Sequence, residues 1–311
     1  MFMGCEITQG LLATPATISP KYFYDERGSR LFESITQQPE YYLTRVEREI
    51  FDQHRAGIVR LLPENSALVD LGAGNCEKAE LFFSMLKPSQ YVPVDISSEF
   101  LNQTIQRLAH RYPHITVVPV DADYSQGLSL PSLVQTHRRV FFYPGSSIGN
   151  FTPSESVLIL KNIHSAMGQD GRLLIGIDLM KSQQVLEPAY NDAQGVTAQF
   201  NLNVLDHLNH QLSTDFVSTR WTHRAFLNLE QSRIEMHLRA ETPQWVSWPS
   251  GKRYFEKHET IHTENSYKYT IAGFRTLLSK AGFSIESLWT DPDQWFAVIL
   301  AKSHPSPGRP A

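Results

Sequence analysis

The sequence predicts an α/β fold built on a mostly parallel, doubly wound sheet, and three observations carry this prediction. Short apolar runs alternate with helix-length segments between residues 67 and 178, as in parallel strands joined by helices. A glycine-rich turn with Gly72 and Gly74 follows the first run. The alternation stops after Met180 and returns at Thr270. These features indicate a Rossmann-like sheet that carries an inserted second domain.

The segment before the first strand is predicted to be helical where it is regular. Apolar residues at helical spacing precede Pro39, and no strand is expected within residues 1–45. An amphipathic helix is predicted over 46–62. Strands are then predicted at 67–71, 90–94, 115–120, 140–143 and 171–178, with helices ending at Leu86 and Arg111 and a further helix over 154–167 that has Ser154 as its N-cap.

The sequence after Met180 predicts a second domain of a different kind, and then the last strands of the parallel sheet. Residues 191–212 have a helical pattern and residues 219–248 alternate as strands do. A helix over 270–281, capped by Gly282, precedes two strands at 284–290 and 295–301 that form an antiparallel closing hairpin. The predicted domains are 46–179 with 269–303 for the sheet and 1–45 with 180–268 for an α+β unit, followed by a disordered tail at 304–311.

Composition excludes several classes of partner. The net charge is −4 and no run of Lys and Arg stands out, so a nucleic-acid partner is not expected. No apolar stretch approaches the roughly 20 residues that span a bilayer. The chain has two cysteines, Cys5 and Cys76, which fits a reduced compartment better than a disulfide framework. We therefore expect a cytoplasmic monomer that acts on a small molecule.

The turn between Val69 and Lys78 predicts a nucleotide-type ligand. Its two glycines let the backbone approach a ligand closely, but Glu77 stands where a dinucleotide fingerprint needs a third small residue. The acids Asp70 and Glu77 would repel a pyrophosphate and suit a ligand with a sulfonium and an amino group. The turn therefore favours S-adenosylmethionine over NAD.

Acids also end the next two strands. Asp95 is placed to accept the ribose hydroxyls, while Asp121 or Asp123 could bind an adenine amino group beside Tyr124. Any single Asp at a strand end could instead be a loop or cap residue, but the ordered set favours a cofactor site. An NAD-linked dehydrogenase and a noncatalytic nucleotide-binding module remain alternatives at this point.

A series of motifs identifies a family that the sequence resembles. They are Phe23-Tyr24-Asp25, Gly28-Ser29, Pro39-Glu40-Tyr41-Tyr42-Leu43-Thr44-Arg45, Gly145-Ser146-Ser147-Ile148-Gly149-Asn150-Phe151, Ala189-Tyr190-Asn191-Asp192 and Thr263-Glu264-Asn265-Ser266. In this order they resemble the histidine-specific Nα-methyltransferases of ergothioneine biosynthesis. The resemblance covers about residues 20–303 and implies a class I (Rossmann-like) methyltransferase sheet with an antiparallel closing hairpin, joined to an α+β substrate domain.

The resemblance implies a role for each matching residue. Tyr41 and Asn150 would hold the α-amino group of L-histidine, Tyr190 its carboxylate, and Glu264 with Ser266 its imidazole. Phe200 and Met236 would line the ring pocket, and Gly145 would lie where the two ligands meet. The cofactor residues implied are Tyr24, Gly72, Lys78, Asp95, Asp123 and Tyr124. The products would be hercynine, formed through mono- and dimethylhistidine, and S-adenosyl-L-homocysteine.

Some features of the sequence leave alternatives open. Asn75 and Cys76 stand where the family has Ser or Thr, and Tyr124 replaces Phe, changes that remove no needed group. Taken singly, Phe200 and Met236 are more typical of a packed core. Another amine, such as a tryptophan derivative, is the alternative substrate.

No metal is expected. His207 and His210, and likewise His258 and His262, have helical spacings that could bind zinc, but neither pair has an evident third ligand.

Overall fold

A computed structural model of the chain describes residues 2–96, 98–168 and 170–304. The predicted disordered tail lies outside the described residues, except for His304. The helices span Phe2–Leu12 (α1), Glu26–Thr36 (α2), Tyr42–Leu61 (α3), Glu77–Leu86 (α4), Ser98–Arg111 (α5), Pro153–Met167 (α6), Gln183–Leu186 (α7), Val196–Leu212 (α8) and Ile271–Lys280 (α9), with 3₁₀ turns at Pro20–Phe23, Ser147–Asn150, Pro188–Tyr190 and Ser218–Arg220.

The strands follow the predicted order with several additions. They span Ala16–Thr17 (β1), Ala67–Leu71 (β2), Gln90–Asp95 (β3), Thr116–Val117 (β4), Val120–Asp121 (β5), Arg139–Tyr143 (β6), Arg172–Asp178 (β7), Trp221–Asn228 (β8), Arg233–Ala240 (β9), Gln244–Trp248 (β10), Gly251–Phe255 (β11), Thr260–Tyr267 (β12), Phe283–Thr290 (β13) and Phe296–Ser303 (β14).

The chain divides into two compact units, each built from two segments. Unit 1 consists of residues 1–42 and 181–267, and unit 2 of residues 43–180 and 268–311. The sequence placed the joins after residues 45, 179 and 268, whereas the structure places them after residues 42, 180 and 267.

Unit 2 contains the predicted parallel sheet with its closing hairpin. The strand order is β13-β14-β7-β6-β2-β3-β4, and β5 pairs with β3 next to β4. β2, β3, β6 and β7 are mutually parallel, while β14 runs antiparallel to both β7 and β13. The fold class predicted from the sequence is confirmed.

The strand order of unit 2 shows where a ligand can bind. The chain moves from β2 outwards through β3 to β4, and then returns to the other side of β2 with β6 and β7. The order in which strands are added to the sheet therefore reverses between β2 and β6, although these two strands are parallel. Ligands of such sheets bind at the carboxyl ends of the strands beside this switch point. The turn after β2 carries Gly72 and the turn after β6 carries Gly145.

Two local predictions for unit 2 are wrong. The strand expected over 115–120 is broken into β4 and β5, which pair with opposite ends of β3. Helix α6 is capped by Thr152 and not by Ser154. The Thr152 side chain accepts the Glu155 N–H, and the Glu155 carboxylate accepts the Thr152 N–H at 2.8 Å. This reciprocal capping box, with Pro153 in the first turn, fixes the start of the helix.

Unit 1 is built on an antiparallel sheet to which the N-terminal segment contributes a strand. The strand order is β1-β12-β9-β8, with β1 parallel to β12, and β10 pairs with β11 as a separate hairpin. The expectation that residues 1–45 contain no strand is therefore wrong: β1 is only two residues long and carries no period-2 pattern of its own. β11 and β12 were also not predicted.

Within the described part of the chain, the structure contains no helix that is long and apolar enough to span a bilayer.

Unit 2 contains an ion pair that is completely withdrawn from solvent. Lys268 Nζ lies 2.7 Å from Asp178 Oδ2, and both side chains are 0% exposed. Asp178 ends β7, and its carbonyl oxygen accepts the Tyr269 N–H at 2.9 Å. The pair therefore joins the end of the parallel sheet to the segment that leads into α9.

Replacing Lys268 by Met is expected to destabilise unit 2 by about 3–5 kcal/mol, because Asp178 would remain buried without its cation. The control is Lys302→Met. The Lys302 side chain is 45% exposed and pairs with Glu286, so its loss should cost less than about 1 kcal/mol. Urea denaturation, monitored by circular dichroism, measures the loss in free energy of unfolding for both variants. Equal losses in the two variants would contradict a stabilising role for the buried pair of Lys268 and Asp178.

Candidate active site

The glycine turn after β2 lies against the ends of the neighbouring strands. Gly72 and Gly74 have φ angles of +70° and +51°, a conformation that favours glycine. The Gly74 N–H donates to Asp95 Oδ2 at 2.9 Å. A Cβ built on Gly72 would lie 3.7 Å from the Tyr124 hydroxyl oxygen. The structure thus brings together three sequence-predicted cofactor residues, Gly72, Asp95 and Tyr124.

Asp123 has a local structural role in the loop after β5. Its Oδ1 accepts hydrogen bonds from the Ser125 N–H at 3.0 Å and the Ser125 hydroxyl at 2.5 Å. These bonds hold the loop after β5 in the shape of an Asx turn.

Asp70 is the most unusual acid of this edge of the sheet. It is 2% exposed, and its Oδ2 accepts a hydrogen bond from the Tyr91 hydroxyl at 2.7 Å. Its Oδ1 is buried and has no hydrogen-bond partner among the described residues. Burial raises the pKa of Asp70 to about 7, against the lowering effect of the Tyr91 hydrogen bond. The carboxyl group therefore has capacity for a cationic or hydrogen-bond-donating ligand.

Glu47, which sequence analysis missed, connects the two glycine turns. Its side chain is 1% exposed, Oε2 lies 2.6 Å from Lys78 Nζ, and Oε1 accepts the Gly145 N–H at 2.7 Å. A Cβ on Gly176 would lie 2.2 Å from Glu47 Oε1, so the glycine in β7 makes room for this carboxylate. An isolated glycine in an otherwise apolar strand was the signal in the sequence.

The Gly-Ser-Ser-Ile-Gly-Asn motif forms a braced loop after β6. The Ser146 hydroxyl oxygen accepts the Asp178 N–H at 2.9 Å, and the Tyr269 hydroxyl donates to the Ile148 carbonyl oxygen at 3.3 Å. Asn150 ends the 3₁₀ turn of this loop and is partly exposed. The loop therefore presents Gly145 and Asn150 from a fixed backbone.

In unit 1, aromatic rings join the predicted residues of the N-terminal segment to α8. Phe200 packs against Tyr24 with ring centroids 5.8 Å apart and against Phe32 at 6.0 Å. Phe32 contacts Tyr41 at 6.3 Å, and Tyr41 contacts Tyr190 at 6.3 Å. The structure thus brings together Tyr24, Tyr41, Tyr190 and Phe200, which are far apart in sequence.

The remaining predicted substrate residues lie on two paired strands of the same unit. Met236 of β9 is the register partner of Glu264 of β12, and a β-bulge separates Glu264 from His262. The Tyr190 hydroxyl lies 2.7 Å from the Ser266 hydroxyl. Glu264 is partly exposed, whereas Met236 and Ser266 are buried.

The predicted site residues therefore fall into two sets. Unit 2 holds Gly72, Lys78, Asp95, Asp123, Tyr124, Gly145 and Asn150, and unit 1 holds Tyr24, Tyr41, Tyr190, Phe200, Met236, Glu264 and Ser266.

His207 and His210 both lie in α8 as predicted, whereas His258 and His262 do not share a helix. His258 has a φ of +72° in a turn and His262 lies in β12, while His207 Nδ1 lies 2.6 Å from the Tyr22 carbonyl oxygen. His262 does have neighbours that the sequence did not reveal: within the described residues, Glu235, His237 and His262 offer ligand atoms within 4.8 Å of one another.

This group has the geometry of an ion-pair cluster rather than of a metal centre. The His237 and His262 rings stack with centroids 4.6 Å apart and planes at 12°, so their in-plane lone pairs cannot converge on one ion. Glu235 lies 2.7 Å from Arg233 and accepts a hydrogen bond from Asn228 at 2.8 Å.

The chain matches known proteins over almost its whole length. Residues 3–303 match the family described as histidine-specific methyltransferase, SAM-dependent. The chain is 35% identical to the histidine N-alpha-methyltransferase of Mycolicibacterium smegmatis, covering 95% of this chain and 93% of that protein. It is 30% identical to ergothioneine biosynthesis protein 1 of Neurospora crassa, covering 94% of this chain and 34% of that protein.

A solved structure supports the fold. A S-adenosylmethionine-dependent methyltransferase from Clostridium acetobutylicum superposes with a TM-score of 0.52 at 12% identity, covering 89% of this chain and 99% of that chain. At this identity the likeness concerns the fold alone. Together with the match over residues 3–303, it shows that the chain has the class I methyltransferase fold and belongs to the histidine-specific, S-adenosylmethionine-dependent methyltransferase family.

Proposed function

We propose that this protein transfers methyl groups from S-adenosylmethionine to the α-amino group of L-histidine. Up to three transfers would give hercynine, the trimethyl betaine, for ergothioneine biosynthesis. The observation that carries the proposal is the family match over residues 3–303, which includes residues of both units.

The residues of unit 2 fit S-adenosylmethionine in charge and shape. Asp70 has a buried oxygen without a partner, which suits a ligand that brings an ammonium or sulfonium charge. The glycines at 72 and 74 leave backbone without side chains beside Asp95. A pyrophosphate would meet the carboxylates of Asp70, Glu77 and Asp95 at unfavourable charge, which disfavours the NAD-linked alternative.

The cofactor supplies an electrophilic methyl group when bound, and this chain supplies alignment. We assign the cofactor contacts to Tyr24, Gly72, Lys78, Asp95, Asp123 and Tyr124. Alignment of reacting groups is worth roughly 7–11 kcal/mol in favourable cases, so residues that only orient the amine are sufficient for large rate enhancement. Glu47 fixes the Lys78 ammonium and the Gly145 N–H relative to each other.

On the substrate side, we assign the α-amino group to Tyr41 and Asn150 and the carboxylate to Tyr190. Each methylation removes one N–H donor from the amine, and a hydroxyl and an amide adapt to this loss better than two carboxylates. The hydrogen bond between Tyr190 and Ser266 fixes the tyrosine hydroxyl before substrate arrives. Gly145 is assigned to the backbone beside the reacting amine.

The imidazole ring is assigned to Glu264 and Ser266, with Phe200 and Met236 as apolar walls. A carboxylate that accepts a ring N–H gains a charge-assisted hydrogen bond. A ring without an N–H would forfeit this hydrogen bond to Glu264, at a cost of about 1–3 kcal/mol. This chemistry favours an imidazole over an apolar aromatic side chain.

The oligomeric state, location and partners of the protein are also proposals. We propose that it acts as a monomer in the cytoplasm, with L-histidine and its mono- and dimethyl forms as its small-molecule partners. Light scattering after size-exclusion chromatography tests the monomer.

Replacing Glu264 by Ala is expected to lower kcat/KM for L-histidine by about 10- to 100-fold, because a charge-assisted hydrogen bond to the ring would be lost. Mass spectrometry of reactions with S-adenosylmethionine measures the mono-, di- and trimethyl products. The control is Glu241→Ala, which removes another carboxylate of unit 1 and should change kcat/KM less than about twofold.

Two outcomes would contradict the proposed function. Wild-type protein that forms no methylated histidine would refute it outright. A Glu264→Ala variant with undiminished kcat/KM for L-histidine would remove Glu264 from the imidazole site. Efficient methylation of a tryptophan derivative by the wild type, undiminished in this variant, would instead support the alternative substrate.

The raised pKa of Asp70 predicts pH-dependent cofactor binding. The ionised fraction of this carboxyl rises as the pH increases through about 7, so affinity for the ammonium group of S-adenosylhomocysteine should rise about fivefold from roughly pH 6 to pH 7. Isothermal titration calorimetry with wild type and Asp70→Asn tests this. The variant should lose the rise, and an identical pH profile in the two proteins would remove Asp70 from the cofactor site.

A further inference from the structure

The side chain of Asn201 in α8 is the centre of a buried hydrogen-bond network in unit 1. Asn201 is 0% exposed. Its Nδ2 lies 2.8 Å from His223 Nδ1 and donates to the His237 carbonyl oxygen at 3.1 Å. Its Oδ1 accepts a hydrogen bond from the Thr263 hydroxyl at 2.8 Å. One amide therefore connects α8 with β8, β9 and β12.

Each hydrogen-bond partner of Asn201 is either next in sequence or hydrogen-bonded to a residue that we assign to the substrate. His237 follows Met236 in β9. Thr263 precedes Glu264, and its hydroxyl also lies 3.0 Å from the Met236 carbonyl oxygen. His223 Nε2 lies 2.9 Å from the Tyr190 carbonyl oxygen. Phe200 immediately precedes Asn201 in α8. The network thus reaches the backbone of four substrate residues without using any of their side chains.

The donors and acceptors of this network are compatible in one arrangement. A carbonyl oxygen can only accept, so His223 Nε2 carries the proton that it donates to Tyr190, and in the neutral ring Nδ1 accepts from the Asn201 amide. Burial lowers the pKa of His223, against the raising effects of the Tyr190 carbonyl and Asp192, while His237 lowers it further. The neutral ring agrees with the hydrogen bonds.

We propose that Asn201, acting with His223 and Thr263, is the positioning residue that sets the distances among Tyr190, Met236 and Glu264 and thereby determines affinity for the substrate side chain. The proposal rests on the proposed function for the identity of the substrate. Of the assigned cofactor residues, only Tyr24, which packs against Phe200, lies in unit 1 with this network. We therefore expect Asn201 to affect substrate affinity more than cofactor affinity.

Asn209 provides a control on the same helix; it is partly exposed, whereas Asn201 is buried. Its Nδ2 donates to the Phe216 carbonyl oxygen at 2.8 Å, and its Oδ1 accepts from the Thr214 hydroxyl at 2.6 Å and the Phe216 N–H at 2.9 Å. Asn209 therefore also makes three hydrogen bonds, but its partners adjoin no assigned substrate residue. Replacing either asparagine by Leu removes a similar set of hydrogen bonds.

The test compares Asn201→Leu, Asn209→Leu and wild type in three measurements: KM and kcat for L-histidine, the dissociation constant of S-adenosylhomocysteine, and the melting temperature. Asn201→Leu should raise KM by about tenfold or more, equivalent to about 1.4 kcal/mol, and leave the dissociation constant within about twofold. Asn209→Leu should lower the melting temperature and leave KM within about twofold. If Asn201 had a purely structural role, Asn201→Leu would also lower the melting temperature and leave KM within about twofold.

A milder variant covers the case in which Asn201→Leu does not fold. Thr263→Val keeps the shape of a β-branched strand residue and removes the hydroxyl that Asn201 accepts from, so KM should rise about threefold. A folded Asn201→Leu or Thr263→Val with unchanged KM would overturn the proposal. Wild-type protein without activity on histidine would instead refute the proposed function, so the two failures are distinguishable.

Discussion

Among the described residues of unit 2, three carboxylates that are at most 2% exposed impose the constraint on which this unit depends. A charge withdrawn from water must be paired, hydrogen-bonded or neutralised, and the protein uses all three solutions. Asp178 is paired with Lys268, and Glu47 is held by Lys78 and the Gly145 N–H. Asp70 instead keeps one buried oxygen without a partner and a pKa of about 7. Two of the acids thus stabilise the loops around the switch point, and the third leaves capacity for a cationic ligand.

Unit 1 meets a different demand, which is to hold residues from several segments at fixed distances. Tyr190, Met236 and Glu264 come from a 3₁₀ turn, β9 and β12, and each has a backbone connection to the network around Asn201. A buried network in which every donor meets an acceptor is rigid and specific. Substrate choice in this account therefore depends on polar groups that never contact the substrate, in addition to Glu264 itself.

Parts of this organisation follow directly from local sequence and others do not. The parallel strands were predictable because buried runs such as 67–71 and 172–178 are short, mostly apolar and separated by segments long enough to form helices. β1 was missed because two residues paired only through a distant strand have no local signature. The Thr152 cap was missed because Ser154 is an equally good N-cap type.

The candidate site shows the same division. Residues in motifs, such as Tyr41 and Glu264, were identified through the resemblance. Glu47, Asn201 and His223 were missed because their importance arises from partners up to about a hundred positions away, and no periodicity records such contacts. Gly176 was the one local hint, since it makes room for Glu47.

We propose that this methyltransferase selects an amino acid by its imidazole ring. The most direct measurement is a competition assay in which L-histidine, L-tryptophan and L-phenylalanine, at equal concentrations, share a limiting amount of S-adenosylmethionine, with products quantified by mass spectrometry. The account predicts that methyl groups accumulate on histidine and proceed to the trimethyl form. Preferential methylation of tryptophan or phenylalanine would contradict it.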